Sequence, residues 1–218
     1  MVKQFRTLLA VATLAVAALA GTSQAAASSL RTVTAGTVSA AEAFRQVSAD
    51  ARAGEGRLAS DGSRVLDSAA FTMRLRGYTA RYCLDNFASG GGRNNSPVGF
   101  WECNGGSTLY WRWRVVSSGG YYNYTLVNNA SGRCLDYPSS FGERPGAQFN
   151  VFDCKDGAAP GQTFHVYQLG NNELALTSPL SSNVLALDGY SSSWRGNGSP
   201  VGLWNASTSA FNPHQRWF

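Results

Sequence analysis

Charged residues are scarce in this sequence, and what it lacks excludes several classes of protein. Only 14% of the 218 residues are charged, whereas 12% are aromatic. This balance excludes a disordered chain, which combines high charge density with few aromatic residues. Glycine is frequent, with 24 residues, but it forms no strict triplet and therefore excludes collagen. The length accommodates one domain of about 150 residues with additional segments.

The basic residues are almost all arginine and do not cluster. Lysine occurs only at Lys3 and Lys155, no run of five basic residues exists, and the formal net charge is +5. Without residues 1–26, which hold two basic residues and no acidic one, the net charge is +3. So small a charge does not indicate binding to nucleic acid, and we expect no such partner.

Signatures of catalysis and of metal binding are also missing. The sequence has two histidines and no Gly-x-Ser-x-Gly elbow, phosphate-binding loop or His-Glu-x-x-His motif. Its four cysteines lack the spacing of two to four residues that is typical of zinc ligands. We therefore expect no catalytic residues, no metal and no cofactor. The alternative is a glycosidase pair among the eight acidic residues of 71–218.

The first residues have the pattern of a secretory signal peptide. Lys3 and Arg6 precede an uncharged apolar run over 8–20, and small residues follow it. Thirteen apolar residues are fewer than the roughly 20 that span a bilayer, so an uncleaved membrane anchor is the less favoured alternative. The sequence predicts a signal peptide over 1–26, a secreted protein and no insertion into the membrane.

Residues 27–70 differ in composition from the remainder. Their only aromatic residue is Phe44, and they contain no cysteine. Ser39 and Glu42 form a capping-box pattern that predicts a helix from Ala40 to Ala53. One short helix with a single aromatic residue cannot build a core. We interpret this segment as a linker, a pro-segment or a loosely docked, partly helical arm.

Residues 71–218 have the composition of a folded domain. They contain all six tryptophans, all nine tyrosines and nine of the eleven phenylalanines. Short β-rich runs, such as 121–127 and 149–152, alternate with clusters of glycine, serine and asparagine. No apolar stripe with helical spacing has useful length. The pattern predicts an all-β domain.

Three internal repeats organise this domain, over about 71–121, 122–172 and 173–218. A short motif that ends in Leu-Asp recurs at offsets of 51 and 52 positions, and each copy leads through a polar loop to a strand with an aromatic residue. An aromatic motif then closes each repeat, with its last residue at Trp113, Phe164 or Trp217. We expect the three copies to pack around a common axis, with these closing residues in the core.

The first two repeats each contain two cysteines that are twenty positions apart. The pairs are Cys83 and Cys103 in the first repeat and Cys134 and Cys154 in the second. Four cysteines allow three connectivities. The third repeat has alanine at both positions, and bonded partners would be lost together in this way. The repeats therefore favour one disulfide within each of the first two copies, formed in an oxidising compartment.

These features resemble the ricin B-type lectin family. The resemblance covers residues 71–218 and rests on the Cys-Leu-Asp start, the aromatic residue two positions before the second cysteine, and the Gln-x-Trp close. It implies a β-trefoil with three repeats and a non-catalytic protein that binds glycans or polysaccharide weakly at several sites. The alternative is a trefoil that binds a protein partner, as an inhibitor or a toxin accessory subunit.

A sugar site requires an acceptor for paired hydroxyls and a flat ring to stack on the C–H face of the sugar. Each repeat supplies both. The resemblance assigns the acceptor role to Asp85, Asp136 and Asp188, and the stacking role to Trp101, Phe152 and Trp204. The alternatives are that the aspartates only brace the following turn and that neighbouring loops cover the rings.

Two further positions complete or weaken these sites. A position that is often polar in the family is Gly99, Asn150 or Gly202 here, so Asn150 alone keeps a polar side chain. Where the family usually has asparagine, this chain has Tyr110, Gly161 and His214. Tyr110 and His214 can still bond a hydroxyl, so we include them among the predicted binding residues.

Side-chain completeness ranks the third site first and the second site last. Side chains alternate along a strand, so Trp101 should lie on the face opposite Phe100. The same alternation applies at Phe152 and at Trp204. Three aromatic residues in the loops after the aspartates are further candidates for lining these pockets. They are Tyr137, Tyr190 and Trp194.

Overall fold

A computed structural model describes residues 38–77, 81–87, 90–138, 142–155, 159, 161–179 and 184–218. The predicted signal peptide lies outside these residues. No helix in the described ranges is long and apolar enough to cross a membrane.

The described residues form one α-helix, thirteen β-strands and three single-turn 3₁₀ helices. The helix α1 is Ala40–Arg52. The strands of the N-terminal half are β1 Arg57–Leu58, β2 Arg64–Asp67, β3 Phe71–Thr72, β4 Tyr82–Asn86, β5 Ser96–Glu102 and β6 Tyr110–Ser118. Those of the C-terminal half are β7 Tyr121–Asn128, β8 Cys134–Asp136, β9 Asn150–Phe152, β10 His165–Leu169, β11 Glu173–Thr177, β12 Leu185–Asp188 and β13 Gly202–Asn205. The 3₁₀ turns are Ser107–Leu109, Ser191–Ser193 and Pro213–Gln215.

The strands form two antiparallel sheets whose pairs recur with the repeats. One sheet has the order β1-β2-β6-β7-β8-β9-β5-β4, with β3 also paired to β6, and the other has the order β10-β11-β12-β13. Three strand pairs are equivalent, one in each repeat: β4 with β5, β8 with β9 and β12 with β13. An isolated bridge from Trp217 to Leu75 joins the end of the third repeat to the first repeat, and a second bridge joins Trp217 to Leu174 within the third repeat. The predicted all-β fold with three repeats is confirmed.

The closing aromatic residues lie in the centre of the core, as predicted. Trp113, Phe164 and Trp217 are all buried in one hydrophobic cluster. Phe100 stacks on Trp217 with ring centroids 5.7 Å apart. One repeat has too little apolar surface to cover these rings, so all three copies contribute to a common core.

Both predicted disulfides are present. Cys83 is bonded to Cys103 and Cys134 to Cys154, each across a separation of 20 residues. Each bond joins the Asp-bearing strand of a repeat to the end of the strand that carries the aromatic residue. In the third repeat Ala186 is buried at the corresponding place and packs against Phe211. Apolar contact replaces the covalent link there.

The helix predicted for the N-terminal segment is present, and it is docked. Its N-cap Ser39 accepts a hydrogen bond from the backbone N–H of Glu42. Phe44 and Val47 are buried in the same hydrophobic cluster as the closing residues. Strand β2 extends the segment along β6 in antiparallel register. Residues 38–67 thus differ from an unattached linker, because their apolar face is covered by the trefoil domain.

Candidate functional site

The predicted sugar-binding aspartates occupy one equivalent position in all three repeats. Each lies directly across an antiparallel pair from the residue two places before the stacking aromatic. The pairs are Asp85 with Gly99, Asp136 with Asn150 and Asp188 with Gly202. Directly opposed residues project from the same face, as do residues two apart on one strand. Each repeat therefore places its carboxylate and its aromatic ring on a common face.

The strand alternation follows the prediction. Trp101 and Trp204 are 40% and 45% exposed, which makes them exceptions among the large apolar side chains of the described residues. Their neighbours Phe100 and Leu203 are fully buried. In the second repeat Phe152 is half-buried next to the buried Val151. The outer face of each pair thus carries the candidate site, and the inner face carries the core.

The three carboxylates are set deep in the surface. Asp85, Asp136 and Asp188 are each 4–5% exposed. Burial is the largest influence on all three, and it raises the pKa of each carboxyl above the ordinary value. For Asp188 the pKa rises to about 6. Removal from water destabilises the charged form, so these groups gain from any added hydrogen-bond donor.

In the third repeat, the glutamine of the closing motif holds the aspartate. Gln215 bonds to the carboxylate of Asp188 and thereby partly offsets the rise in its pKa. The amide of Gln215 also donates to the carbonyl oxygen of Asn205 at 2.9 Å. The same residue therefore connects the carboxylate to the end of the aromatic strand.

In the third repeat, Tyr190 occupies the space where a side chain at Gly202 would lie. A Cβ atom at Gly202 would overlap the hydroxyl oxygen of Tyr190. This hydroxyl donates to the carbonyl oxygen of Leu203 at 3.1 Å, and burial raises the pKa of the phenol. The Tyr190 ring also meets Trp204 edge-on, with centroids 5.6 Å apart. A phenol thus stands where the family often has a polar side chain.

The first repeat is built in a parallel way with different residues. Phe87 follows Asp85 by two positions, as Tyr190 follows Asp188, and its ring lies where a side chain on Gly99 would be. Its ring meets Trp101 edge-on at 6.1 Å. Within the described residues no donor reaches Oδ1 of Asp85. A hydrogen bond from Thr108 opposes the rise in the pKa of this carboxyl.

The second repeat differs from the other two because a lysine side chain lies beside its aspartate and its aromatic ring. Nε2 of Gln162 donates to Oδ2 of Asp136 at 3.0 Å, as expected from the repeat. Nζ of Lys155 lies 4.0 Å from the same oxygen and 5.5 Å from the centre of the Phe152 ring. The ammonium group of Lys155 therefore lies over one face of the Phe152 ring. The amide of Asn150 is also engaged, since it donates to Asn95.

The position where the family usually has asparagine is occupied by Tyr110, Gly161 or His214, and these residues differ in what they place beside the aspartate. Gly161 leaves no room for a side chain, since a Cβ there would lie 2.8 Å from Oδ1 of Asp136. The carbonyl oxygen of His214 accepts from the backbone N–H of Gly189 at 3.0 Å, which keeps His214 beside the third aspartate. Tyr110 begins β6 opposite Thr72 and is half-buried.

The three loop aromatics have different surroundings, and Tyr190 is the one whose contact with a predicted stacking ring is described above. Tyr137 is buried in the core, where its hydroxyl bonds to Glu143 and Ser178. Trp194 packs edge-on against Tyr82 and Phe100. The expectation that Tyr137 lines a pocket is therefore wrong, and the expectation for Trp194 stays a prediction. Proximity in sequence did not reveal on which side of the loop each ring would lie.

Three contributors were not identified from sequence. Phe87 had an available signal, because an aromatic residue stands two positions after the aspartate in both the first and the third repeat. Lys155 had a weaker signal, since it is one of two lysines in the chain. Thr108 had none, because the corresponding residue of the second repeat is Ala159.

The site and the fold together define a class of protein, a β-trefoil with one aromatic–carboxylate face per repeat. The family of ricin-type β-trefoil lectin domains matches residues 71–217, and the chain belongs to this family. Its trefoil is a module of the carbohydrate-binding type. A comparison with curated protein sequences gave no match.

Solved structures show the same fold at low sequence identity. The designed threefold-symmetric protein ThreeFoil is 22% identical, with a TM-score of 0.56 over 68% of this chain and 95% of its own. An exo-β-1,3-galactanase from Clostridium thermocellum is 20% identical, with a TM-score of 0.53, and the match covers 68% of this chain and 29% of the enzyme. A mosquitocidal holotoxin is 13% identical, with a TM-score of 0.52 over 69% of this chain and 17% of the toxin. The predicted β-trefoil is thereby confirmed.

Proposed function

We propose that this protein is a secreted, non-catalytic lectin that binds glycans or polysaccharide through the outer faces of its repeats. The observation that carries the proposal is the equivalent register of the three aspartates. Each faces the strand position that places the aromatic ring beside it. Such a pair matches the two requirements of a sugar, hydroxyl donors and an apolar C–H face.

The state of the carboxylates supports a ligand that donates hydrogen bonds. Oδ1 of Asp85 is buried and accepts no hydrogen bond within the described residues. An unsatisfied buried acceptor costs free energy, on the order of 1–3 kcal/mol. A sugar hydroxyl at this oxygen would recover that cost, and it would do so most fully for the ionised carboxyl.

We propose that the three sites are unequal. The first and third combine an exposed tryptophan with a second ring, Phe87 or Tyr190. The second offers Phe152 beneath the ammonium group of Lys155. Weak sites on one rigid domain bind a repetitive glycan surface with high avidity, because later contacts form at high effective concentration.

Export is part of the same proposal. Two disulfides fit an oxidising compartment, and the sequence pattern of 1–26 is that of a signal peptide. Outside the cell, the accessible ligands would be surface glycans and polysaccharides.

A second candidate is a trefoil that binds a protein partner. It is favoured by the rings that occupy the glycine positions Gly99 and Gly202, since these narrow the space for a sugar beside the aspartates. The exposed Trp101 and Trp204 would then act as anchors in a protein interface.

A glycan and polysaccharide array separates the two candidates. The full chain, produced in an oxidising compartment, would be compared with Trp101→Ala, Trp204→Ala and the triple variant Asp85→Ala, Asp136→Ala, Asp188→Ala. Leu58→Ala is the matched control, because Leu58 is 61% exposed on the N-terminal hairpin, outside all three faces. Circular dichroism and thermal unfolding would establish that each variant is folded.

The lectin proposal expects binding that survives Leu58→Ala, weakens in each tryptophan variant and is lost in the triple variant. Stacking rings contribute roughly 0.5–1.5 kcal/mol, so each tryptophan variant should raise the Kd at its own site about three- to tenfold. Binding by neither the parent nor any variant would contradict the proposal. A pull-down with the parent chain and the Trp101→Ala variant would then test the protein-binding candidate.

A further inference from the structure

A groove with aromatic walls lies between β7 and β10, away from the three repeat faces. Its volume is about 490 Å³, within the range of roughly 300–1,000 Å³ that is usual for small-molecule sites. One wall is formed by residues 121–124 and the other by residues 163–166. None of the lining residues is one of the predicted sugar-binding residues, so the groove is a separate feature.

The floor of the groove is joined to the core by a backbone hydrogen bond and a ring contact. The backbone N–H of Phe164 donates to the carbonyl oxygen of Tyr124 at 2.9 Å and bridges the two walls. Phe164 is buried, and the ring of Tyr124 is supported from behind by Phe44 of α1, with centroids 4.8 Å apart. A site whose walls are held by the core needs little reorganisation to bind a ligand.

The rim exposes aromatic surface without an internal partner. Tyr121 is 78% exposed, the largest exposed fraction among the exposed large apolar side chains of the described residues. Within the described residues, the side chains of Tyr121, Tyr122 and His165 take no part in hydrogen bonds. Two phenol hydroxyls and an imidazole are thus available for a ligand, beside rings that can stack on it.

Among the described residues, the lining of the groove carries no carboxylate, ammonium or guanidinium group. A charged ligand would lose water there without gaining an ion pair, which is unfavourable. An uncharged ligand with hydroxyls around an apolar ring face loses little hydration free energy. It gains both hydrogen bonds and ring stacking in the groove.

We propose that this groove is a fourth ligand site that binds an uncharged saccharide ring, independently of the aspartate faces. Tyr121 stacks on the ring, and Tyr122 and His165 bond its hydroxyls. The inference rests on the proposed lectin function for the class of ligand, and it adds a site with a different chemistry, without a carboxylate.

The chain contains two histidines, which makes the test direct. His165 lines the groove, and His214 lies beside the third aspartate. Their imidazole signals in NMR spectra of the full chain therefore report the two sites separately, and a His165→Gln variant assigns them. Galactobiose, cellobiose and xylobiose serve as neutral probes, and glucuronic acid serves as the charged comparison.

Two variants test the groove without disturbing the fold. Tyr121→Ala removes the exposed ring, and Tyr121→Phe keeps the ring but removes its hydroxyl. For a neutral disaccharide that shifts His165, we expect Tyr121→Ala to raise the Kd about three- to tenfold and Tyr121→Phe to change it much less. The shifts of His214 should be the same in both variants.

The outcomes separate the inference from the proposed function. A shift of His165 that weakens in Tyr121→Ala supports the groove, whether or not His214 also shifts. A shift of His214 alone overturns the groove and leaves the lectin proposal in place. No shift of either histidine with any neutral probe overturns the groove, and the lectin proposal is then decided by the glycan array. An equal response of His165 to glucuronic acid would overturn the preference for an uncharged ligand.

Discussion

The indole N–H of Trp113 donates a 2.9 Å hydrogen bond to the carbonyl oxygen of Ala40. The equivalent residue of the third repeat, Trp217, bonds instead to Leu187 of its own repeat at 3.1 Å. In the first repeat the corresponding acceptor, on Leu84, is taken by Trp111 at 3.0 Å. Trp111 replaces the glutamine of the other closing motifs. This replacement leaves the Trp113 indole available to the N-terminal helix.

We predict that Phe44→Ala strongly destabilises the protein. Phe44 is buried and contacts Trp113 at 5.4 Å between ring centroids. Loss of a buried phenylalanine costs about 3–5 kcal/mol, through lost apolar burial and the cavity left behind. Urea unfolding should show this loss. The control Gln46→Ala, on the exposed side of α1, should stay within about 0.5 kcal/mol. Equal stability of the two variants would mean that the helix is not part of the core.

Removal of either disulfide should lower stability by a similar amount. The paired changes Cys83→Ala with Cys103→Ala, and Cys134→Ala with Cys154→Ala, open loops of the same length. The chain-entropy estimate for such loops is about 3 kcal/mol each. The fold should persist, because the third repeat already has alanine at both positions. Thermal unfolding would test this, and complete loss of native circular dichroism in either variant would contradict it.

Asp188→Asn should increase stability at neutral pH and weaken sugar binding. The pKa of Asp188 is about 6 in the folded state and near 3.8 when the chain is unfolded. Between these values the folded state binds more protons, so this group's contribution to stability falls as the pH rises from about 4 to about 6. The stabilising effect of Asn should therefore appear above pH 6 and vanish below pH 4.

Sugar binding at the third repeat should have the opposite pH dependence. The ionised carboxylate is the better acceptor, so affinity should rise through about pH 6 and lose this dependence in Asp188→Asn. Urea titrations and calorimetry at several pH values would measure both trends. Asp61→Asn is the control, because hydrogen bonds from Ser63 lower the pKa of Asp61 and stabilise its charged form. A gain in stability from Asp61→Asn at pH 7 would contradict this reasoning.

Gly202→Ala should be destabilising for steric reasons. A Cβ at Gly202 would overlap the Tyr190 hydroxyl and lie 2.5 Å from the carbonyl oxygen of Ala147. Backbone atoms cannot yield as a flexible side chain can, so the third repeat must shift. Gly170→Ala is the matched control, since a Cβ there meets nothing within 4 Å. We expect a lower Tm for the first variant and little change for the second. Similar Tm values would show that the third site accommodates the added methyl group without loss of stability.

Much of the fold could be predicted because the chain samples the same local environment three times. The joint loss of both cysteines in the third copy indicated the pairing. The alternation of Phe100 with Trp101 follows from the geometry of a strand, whose side chains change face at every residue. The burial of the closing aromatics follows from the need of three weak units for a common core.

The remainder could not be predicted, because it depends on surfaces that are far apart in sequence. The capping box indicated α1, but no local pattern in the sequence showed that α1 would pack against Trp113. Tyr137 and Tyr190 occupy similar loops, yet one ring enters the core and the other fills the space over Gly202. Which way each ring turns is decided by the free volume that other elements leave.

The sequence by itself determined the repeats, the strand faces, the disulfides and the identity of the acidic and aromatic residues on those faces. These are local properties, set by backbone periodicity and by spacing along the chain. Only the tertiary structure decided how deeply the aspartates lie, which rings stand over the glycines, and that α1 covers the first repeat. Burial and close packing are properties of all neighbours together, so no single segment specifies them.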